Sequence, residues 1–250
     1  MPTYATYPSL NKRSVFITGG ASGIGASLVQ HFTEQGARVG FIDIDDAAAN
    51  ALLSGLDGDA GYQHADIRDI PALQAAIAAF AGDGHIDVLV NNAGNDTRHQ
   101  VEAVDADYWD NAMAINLRPH FFAAQAVRPG MAKAGGGSIV NLGSIVPQMI
   151  AGDAPAYVAA KAAVWGLTRA LARDFGHDRI RVNCLMPGWV MTERQIRLWL
   201  DEAGEKRIAE RQCLPDKLMP DDIARMALFL AADDSLHCTA QSFVVDGGWV

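Results

Sequence analysis

Short runs rich in Val, Ile and Phe alternate along this chain with longer Ala-rich stretches whose apolar residues recur at helical spacing. The runs predict strands at 15–18, 38–43, 61–65, 88–91, 138–142, 181–186 and 243–245. The stretches between them predict helices at 23–35, 47–53, 70–80, 105–131, 156–175 and 221–230. Runs such as Val88-Leu89-Val90 and Phe243-Val244-Val245 are apolar without alternation, as strands covered on both faces are. Alternation of strand and helix implies an α/β fold: a doubly wound, parallel, seven-stranded sheet with helices on both faces, joined by right-handed crossovers. No linker, repeat or low-complexity block divides residues 1–250, so a single domain is expected. One segment breaks the rhythm. Between 191 and 220 a charged stretch containing Trp199 reads as a helical insertion between the sixth and seventh strands. Such insertions overhang the carboxyl ends of the strands, so a substrate lid is the sharper expectation, beside the plainer one of a solvated helical pair.

Composition narrows the function class. With 250 residues, 50% of them hydrophobic and 20% charged, the chain can bury a full core without staples. A net charge of −9 and the lack of any Lys/Arg run argue against nucleic acid and anionic membranes as partners. Cys184, Cys213 and Cys238 form no Cys-x-x-Cys pair, and the seven histidines show no ligand spacing, so neither disulfide framework nor metal site is expected. The first thirteen residues hold no apolar leader, and no apolar run approaches the ~20 residues that span a bilayer. A cytoplasmic location is the expectation that follows.

Candidate chemistry begins at Thr18-Gly19-Gly20-Ala21-Ser22-Gly23-Ile24-Gly25, directly after the first strand and opening an amphipathic helix. Glycines at 19, 23 and 25 permit a tight turn and close backbone approach to a pyrophosphate. The helix N-terminus adds free N–H groups and the positive end of its dipole. Asp43 ends the second strand, 18 residues beyond Gly25. A carboxylate there accepts hydrogen bonds from adenosine ribose hydroxyls and repels a 2′-phosphate, so NAD is expected over NADP.

Tyr157 and Lys161 stand four residues apart in an Ala-rich helix and share a face. A phenol with pKa ~10 is a poor base at neutral pH unless a nearby cation stabilises the phenolate, and Lys161 can supply it. Taken alone, the pair also reads as a half-buried tyrosine beside a lysine reaching for solvent. Ser144 lies just past the fifth strand, at the carboxyl edge of the sheet, where a hydroxyl can orient a substrate oxygen.

Together, the glycine loop, Asn91-Asn92-Ala93-Gly94, Asn116, Ser144, Tyr157-x-x-x-Lys161, Pro187-Gly188 and Thr192 stand in the order and spacing of the short-chain dehydrogenase/reductase family, which the chain resembles over essentially its whole length. The resemblance implies a Rossmann-like fold, a homotetramer and NAD as the hydride acceptor. It implies Tyr157 as general base in oxidation, with Lys161 lowering its pKa and holding the nicotinamide ribose. Ser144 would steady the reacting oxygen, and Asn116 would anchor a water that relays the proton. Gly19, Ser22, Gly23, Ile24 and Gly25 match the cofactor loop and Asp43 the ribose position. Asp66 and the backbone of Ile67 match the adenine contacts, and Asn92, Ala93, Gly94 and Pro187 match positions along the cofactor. Val190 and Thr192 match residues that hold the carboxamide.

Within the family, the chain is most similar to bacterial D-xylose-type aldose 1-dehydrogenases. The shared pieces are Tyr7-Pro8-Ser9-Leu10, residues 91–96 with Arg98-His99, Gln212-Cys213-Leu214 and Asp246-Gly247-Gly248-Trp249. It departs from them at Ile145-Val146-Pro147-Gln148-Met149-Ile150, where they carry an aromatic residue and a histidine, and at Trp189, where they carry a small polar one. The expected activity is NAD-dependent oxidation of a sugar or sugar-derived hydroxyl. Asn95, His99, Ser144, Gln148, Tyr157, Trp189, Arg194 and Trp199 would line the pocket, since amides, hydroxyls and aromatic faces suit a polyol. Two alternatives remain open. One is a secondary hydroxyl on a 2-keto-3-deoxy sugar acid, its carboxylate gripped by Arg98, Arg194 or Arg197. The other is a non-catalytic NAD-binding module.

Overall fold

In the computed structural model, which describes residues 4–150 and 152–250, seven strands form one parallel sheet. They are β1 Ser14–Thr18, β2 Arg38–Asp43, β3 Ala60–His64, β4 Val88–Asn91, β5 Gly137–Leu142, β6 Ile180–Pro187 and β7 Ser242–Val245, in the order β3-β2-β1-β4-β5-β6-β7. The helices are α1 Gly23–Glu34, α2 Asp46–Ser54, α3 Ile70–Ala81, α4 Ala106–Asn116, α5 Arg118–Ala134, α6 Pro155–Phe175, α7 Glu193–Trp199, α8 Glu202–Arg211 and α9 Pro220–Ala231.

Successive strand residues point to opposite faces, and each face has its own core. Val15, Ile17, Val39 and Phe41 pack with Leu28 and Phe32 of α1 and with Ile223 and Leu228 of α9. Phe16, Ile42, Leu89 and Ile139 pack on the other side with Leu73 and Ile77 of α3, Met131 of α5 and Phe175 of α6. Burial of each large side chain contributes roughly 1.5–3 kcal/mol, so the doubly wound arrangement follows from strands apolar on both faces. The strand order reverses between β1 and β4, which opens a crevice at their carboxyl ends.

The single helix predicted over 105–131 is two helices. Leu117 leaves helical geometry (φ −133°, ψ −55°) between α4 and α5. Pro119 explains the break: it has no N–H for the Ile115 carbonyl and its ring crowds the preceding turn. The third strand also sits one residue earlier than predicted, at Ala60–His64. The 191–220 insertion contains the helices α7 and α8, capped by the side chains of Thr192 and Asp201. Among the described residues no helix is long and apolar enough to cross a membrane.

Arg181 on β6 secures α9 from beneath. Buried at 8% exposure, it donates to the carbonyls of Leu230 (2.8 Å), Ala232 (3.3 Å) and Ala231 (3.4 Å) at the C-terminal end of that helix. The cation also faces the negative end of the helix dipole. Arg181→Met should keep much of the packing but remove the cation and its hydrogen bonds, leaving Leu230 and Ala232 only their bonds from Ser138 and Ser235. A loss of about 2–3 kcal/mol in urea unfolding is expected, and an unchanged midpoint would show that the guanidinium does not hold α9.

Candidate active site

Side chains clip the carboxyl ends of β1 and β4 together. Thr18 Oγ1 accepts the N–H groups of Asn92 and Ala93, both at 3.1 Å. Asn92 Nδ2 donates to the carbonyls of Thr18 (3.1 Å) and Gly19 (2.8 Å). Gly19 has φ +68°, and a Cβ there would lie 2.8 Å from Ala93 Cα, so this approach requires glycine. A Cβ on Gly25 would fall 1.8 Å from the Gly19 carbonyl oxygen. Gly23 faces Thr192, and Ile24 packs on the core.

Ser22 is the N-cap of α1, yet its side chain makes no capping hydrogen bond and the first turn holds no acidic residue. By contrast, Asp45, Asp69, Asp105, Thr192 and Asp201 cap α2, α3, α4, α7 and α8. The first N–H groups of α1 are therefore left for an anion above the glycine loop. Asp43 is fixed beside that loop: Oδ2 accepts the Ala21 N–H (2.9 Å), and Oδ1 accepts those of Ile44 (2.7 Å) and Asp45 (3.1 Å). This cradle fits a dinucleotide. Asp66 is paired instead with Arg68, whose Nε lies 3.0 and 2.9 Å from the two carboxylate oxygens and holds the carboxyl below its usual range. Ile67 is buried behind it. Pro187 ends β6 and accepts the Ile145 N–H at 3.2 Å, Val190 is buried, and Thr192 caps α7.

A chain of amides sets α6 against the sheet. Asn91 Nδ2 donates to Asn141 Oδ1 (2.9 Å), and Asn141 Nδ2 donates to Thr168 Oγ1 (3.0 Å). Earlier on the same helix are Tyr157 and Lys161. Lys161 is 3% exposed; its Nζ donates to the Leu142 carbonyl at 2.7 Å and lies 5.8 Å from the centre of the Tyr157 ring. Burial lowers the Lys161 pKa to about 8, with Cys184 and Asp96 opposing the fall. Burial, then the Asp96 charge, push the Tyr157 phenol upward, while a hydrogen bond from the Ser144 hydroxyl pulls it down. Ser144 also accepts the Val146 N–H at 3.2 Å, which fixes the start of the following turn.

Asn116 is buried where α4 ends, and its side chain is fully engaged. Oδ1 accepts the Asn95 N–H (2.8 Å), and Nδ2 donates to the carbonyls of Asn95 and Ala112, both at 3.1 Å. The amide therefore holds the loop after β4. A Cβ on Gly94 would stand 3.1 Å from Asn116 Oδ1 and 3.5 Å from Lys161 Nζ, so the loop backbone lies against the buried lysine.

Over the crevice, this loop meets α7. Arg194 Nε lies 3.4 Å from Asp96 Oδ1, and its terminal nitrogen donates to Asn95 Oδ1 (3.3 Å) and Thr97 Oγ1 (3.2 Å). Gln195 Nε2 donates to Asp96 Oδ2 and its Oε1 accepts the Trp189 indole N–H at 3.0 Å. The Trp189 ring lies 6.4 Å from that of Trp249. The Arg98 guanidinium stacks 4.1 Å over the Trp199 ring, whose buried Nε1 has no hydrogen-bond partner. His99 Nδ1 meets the Tyr108 hydroxyl at 2.8 Å, and its buried Nε2 is unpartnered. Gln148 sits on a short turn with Nε2 3.6 Å from Met186 Sδ. Asn95 thus meets Arg194 and Ser144 meets Tyr157, while Trp189 spends its N–H on Gln195 of α7.

Sequence reasoning missed Asp96, Gln195, His120, Asn141 and Thr168. His120 is buried beneath Lys161 with neither ring nitrogen hydrogen-bonded, and burial, then the lysine charge, lower it to about 3. It is neutral at any working pH. Asp96 and Gln195 are separated by 99 positions, and nothing local marks their contact.

Tyr157 and the buried Lys161 stand at the mouth of a parallel sheet beside an uncapped glycine-loop helix, an arrangement that suits a nucleotide-dependent oxidoreductase. The profile described as enoyl-(acyl carrier protein) reductase matches residues 19–250. The chain is 47% identical over 247 residues to a protein of Rhizobium meliloti (strain 1021) named "probable galactose dehydrogenase", covering 97% of this chain and 96% of that one. It is 46% identical over 248 residues to the D-xylose 1-dehydrogenase of Caulobacter vibrioides, covering 98% of each. A solved short-chain type dehydrogenase/reductase from Mycobacterium ulcerans superposes with a TM-score of 0.91 at 26% identity, covering 98% of this chain and 91% of that one. The chain belongs to the short-chain dehydrogenase/reductase family. It is an oxidoreductase acting on CH–OH groups, and dehydrogenases of this family use nicotinamide cofactors.

If Tyr157 moves the substrate proton, Tyr157→Phe should leave dinucleotide affinity nearly intact and cost ~10²–10⁴ in turnover. Retention of half the wild-type rate would refute the assignment.

Proposed function

We propose that the protein is an NAD-dependent dehydrogenase of a neutral sugar hydroxyl, most simply C1 of an aldose, giving the lactone. The observation that carries the reading is the junction of three features at one crevice. These are the uncapped glycine-loop helix, the fixed Asp43 carboxylate, and the Tyr157–Lys161 pair with Ser144. In this reading Gly19, Ser22, Gly23, Ile24 and Gly25 receive the pyrophosphate, Asp43 the adenosine ribose, Asp66 and Ile67 the adenine. Asn92, Ala93, Gly94, Pro187, Val190 and Thr192 border the cofactor toward its nicotinamide end. When bound, the oxidised nicotinamide supplies the acceptor for a hydride.

Ser144 Oγ and the Tyr157 oxygen hold the reacting hydroxyl between them. The Tyr157 phenolate takes the hydroxyl proton while the same carbon loses hydride, and the C–O bond becomes a carbonyl. Lys161, held by the Leu142 carbonyl, keeps a positive charge one helical turn from the phenol. Asn116 positions the loop through Asn95 with its side chain, and in this reading it also anchors the water that relays the proton.

Several observations favour a neutral sugar over a sugar acid. Arg194 is spread over Asn95, Asp96 and Thr97, and Arg98 lies on Trp199, so neither offers a free bidentate grip. The relatives named for galactose and D-xylose act on neutral aldoses by their names. Asn95, His99, Gln148 and Trp189 would meet the remaining hydroxyls and C–H edges, with α7 and α8 as lid. The assembly in this reading is a homotetramer. Trp109, Phe121 and Trp165 on α4, α5 and α6 are 40–50% exposed and supply apolar surface for a second copy. Three free thiols suit a cytoplasmic location.

Wild type should prefer NAD strongly over NADP. Asp43→Asn keeps an acceptor for the Ile44 and Asp45 N–H groups while removing the charge, so it should improve NADP efficiency by about tenfold or more. Equal wild-type efficiency with both cofactors would refute the choice. For the substrate, Arg194→Gln should change aldose efficiency at its own pH optimum by no more than about threefold. A wild type that prefers a keto-deoxy sugar acid, losing roughly ten- to a hundredfold on that substitution, would establish the sugar-acid reading instead.

A further inference from the structure

Asp96 takes no part in the proton and hydride transfers, yet its charge bears on both catalytic side chains. Its position is built. It lies two residues beyond Gly94, which abuts Lys161, and Asn116 fixes the intervening Asn95 from both sides. Gln195 holds Oδ2, and Gln195 is itself held by the Trp189 indole and sits one turn inside the Thr192 cap. Oδ1 is only loosely met by Arg194 Nε at 3.4 Å, because that guanidinium is shared with Asn95 and Thr97. An ionised carboxylate has about four acceptor sites, and these two contacts leave some of them free on a side chain that is 33% exposed.

We propose that Asp96 is the specificity-determining carboxylate of the substrate pocket, accepting hydroxyl hydrogen bonds from a neutral polyol and excluding a substrate that carries a carboxylate. The proposal rests on the reading that a sugar hydroxyl reacts at Tyr157. A substrate anion drawn to Tyr157 would bring like charge against the half-buried Asp96, which Arg194 neutralises only in part. A neutral sugar meets an acceptor already oriented by Gln195 and Arg194, so little ordering is spent on binding.

A second consequence separates this role from a scaffold role. Tyr157 is faced by Lys161 on its own helix, Ser144 after β5, and Asp96 with Arg194 across the crevice. Behind Lys161 lie His120, held neutral by burial, and the Cys184 thiol, pushed up to about 11 by burial. Removing the Asp96 charge should ease phenolate formation, so the alkaline rise in turnover should move to lower pH. Removing Arg194 unmasks Asp96 and should move it to higher pH.

The test compares an aldohexose with its uronic acid, identical at C1 and differing in a C6 carboxylate, in wild type, Asp96→Asn and Arg194→Gln. Wild type should favour the neutral sugar. Asp96→Asn should raise the uronate-to-hexose ratio of kcat/KM by about tenfold or more, with the pH profile displaced downward by about half a unit or more. Arg194→Gln should displace the profile upward, an opposite sign that general loosening of the loop does not produce. Equal losses on both sugars with unmoved pH profiles would overturn the proposal while leaving the aldose reading intact. A wild type that oxidises neither neutral aldoses nor their uronates would overturn both.

Discussion

An ammonium group taken out of water gives up several kcal/mol of hydration unless dipoles and charges replace it. Lys161 meets that cost at 3% exposure, with the Leu142 carbonyl at 2.7 Å and Asp96 within electrostatic reach as compensation. The compensation is incomplete, which is why its pKa falls to about 8. An under-solvated cation is useful here. It has unspent attraction for a negative neighbour, and in the proposed oxidation that neighbour is the phenolate of Tyr157, whose ring centre lies 5.8 Å away. Neutral His120 beneath it leaves that attraction undiluted.

Much of the surrounding structure serves this one group. The Asn91–Asn141–Thr168 chain fixes the position of α6, and with it both catalytic side chains. Gly94 lacks a side chain, so the loop after β4 can lie on the lysine and shield it. The break at Leu117 then acquires a purpose. It ends α4 so that the Asn116 amide turns to the loop backbone while Pro119 starts a new helix.

The sheet, the glycine loop and the Tyr157–Lys161 pair were legible because each is a local pattern. Apolar runs, glycine spacing and a four-residue helical offset are set by near neighbours in the chain. The helix break was not read, although Pro119 marked it, because apolar periodicity continues through it. Trp189 was read as substrate wall from its chemistry, and the bond from its N–H to Gln195 was not legible beside that reading. Asp96 and Gln195 carry no local signal at all, since their contact joins segments 99 residues apart. Asp66 shows the same limit in reverse: its match to an adenine position says nothing of Arg68, which takes its carboxylate in this structure.

For α7 to serve as a lid, its contacts must hold the pocket closed and still break in each turnover. The contacts are suited to that. Arg194 and Asp96 keep side-chain exposures of 45% and 33%, and exposed pairs of this kind contribute roughly 0–1 kcal/mol. The stack of Arg98 on Trp199 adds about 0.5–1 kcal/mol at an exposed site. Opening therefore costs a few kcal/mol at most, compatible with microsecond-to-millisecond motion. The same helix begins at Thr192, against Gly23 of the glycine loop, and reaches Asp96 one turn later through Gln195. Four residues, 192–195, thus join the glycine loop to Asp96, so fixing either end restricts the other.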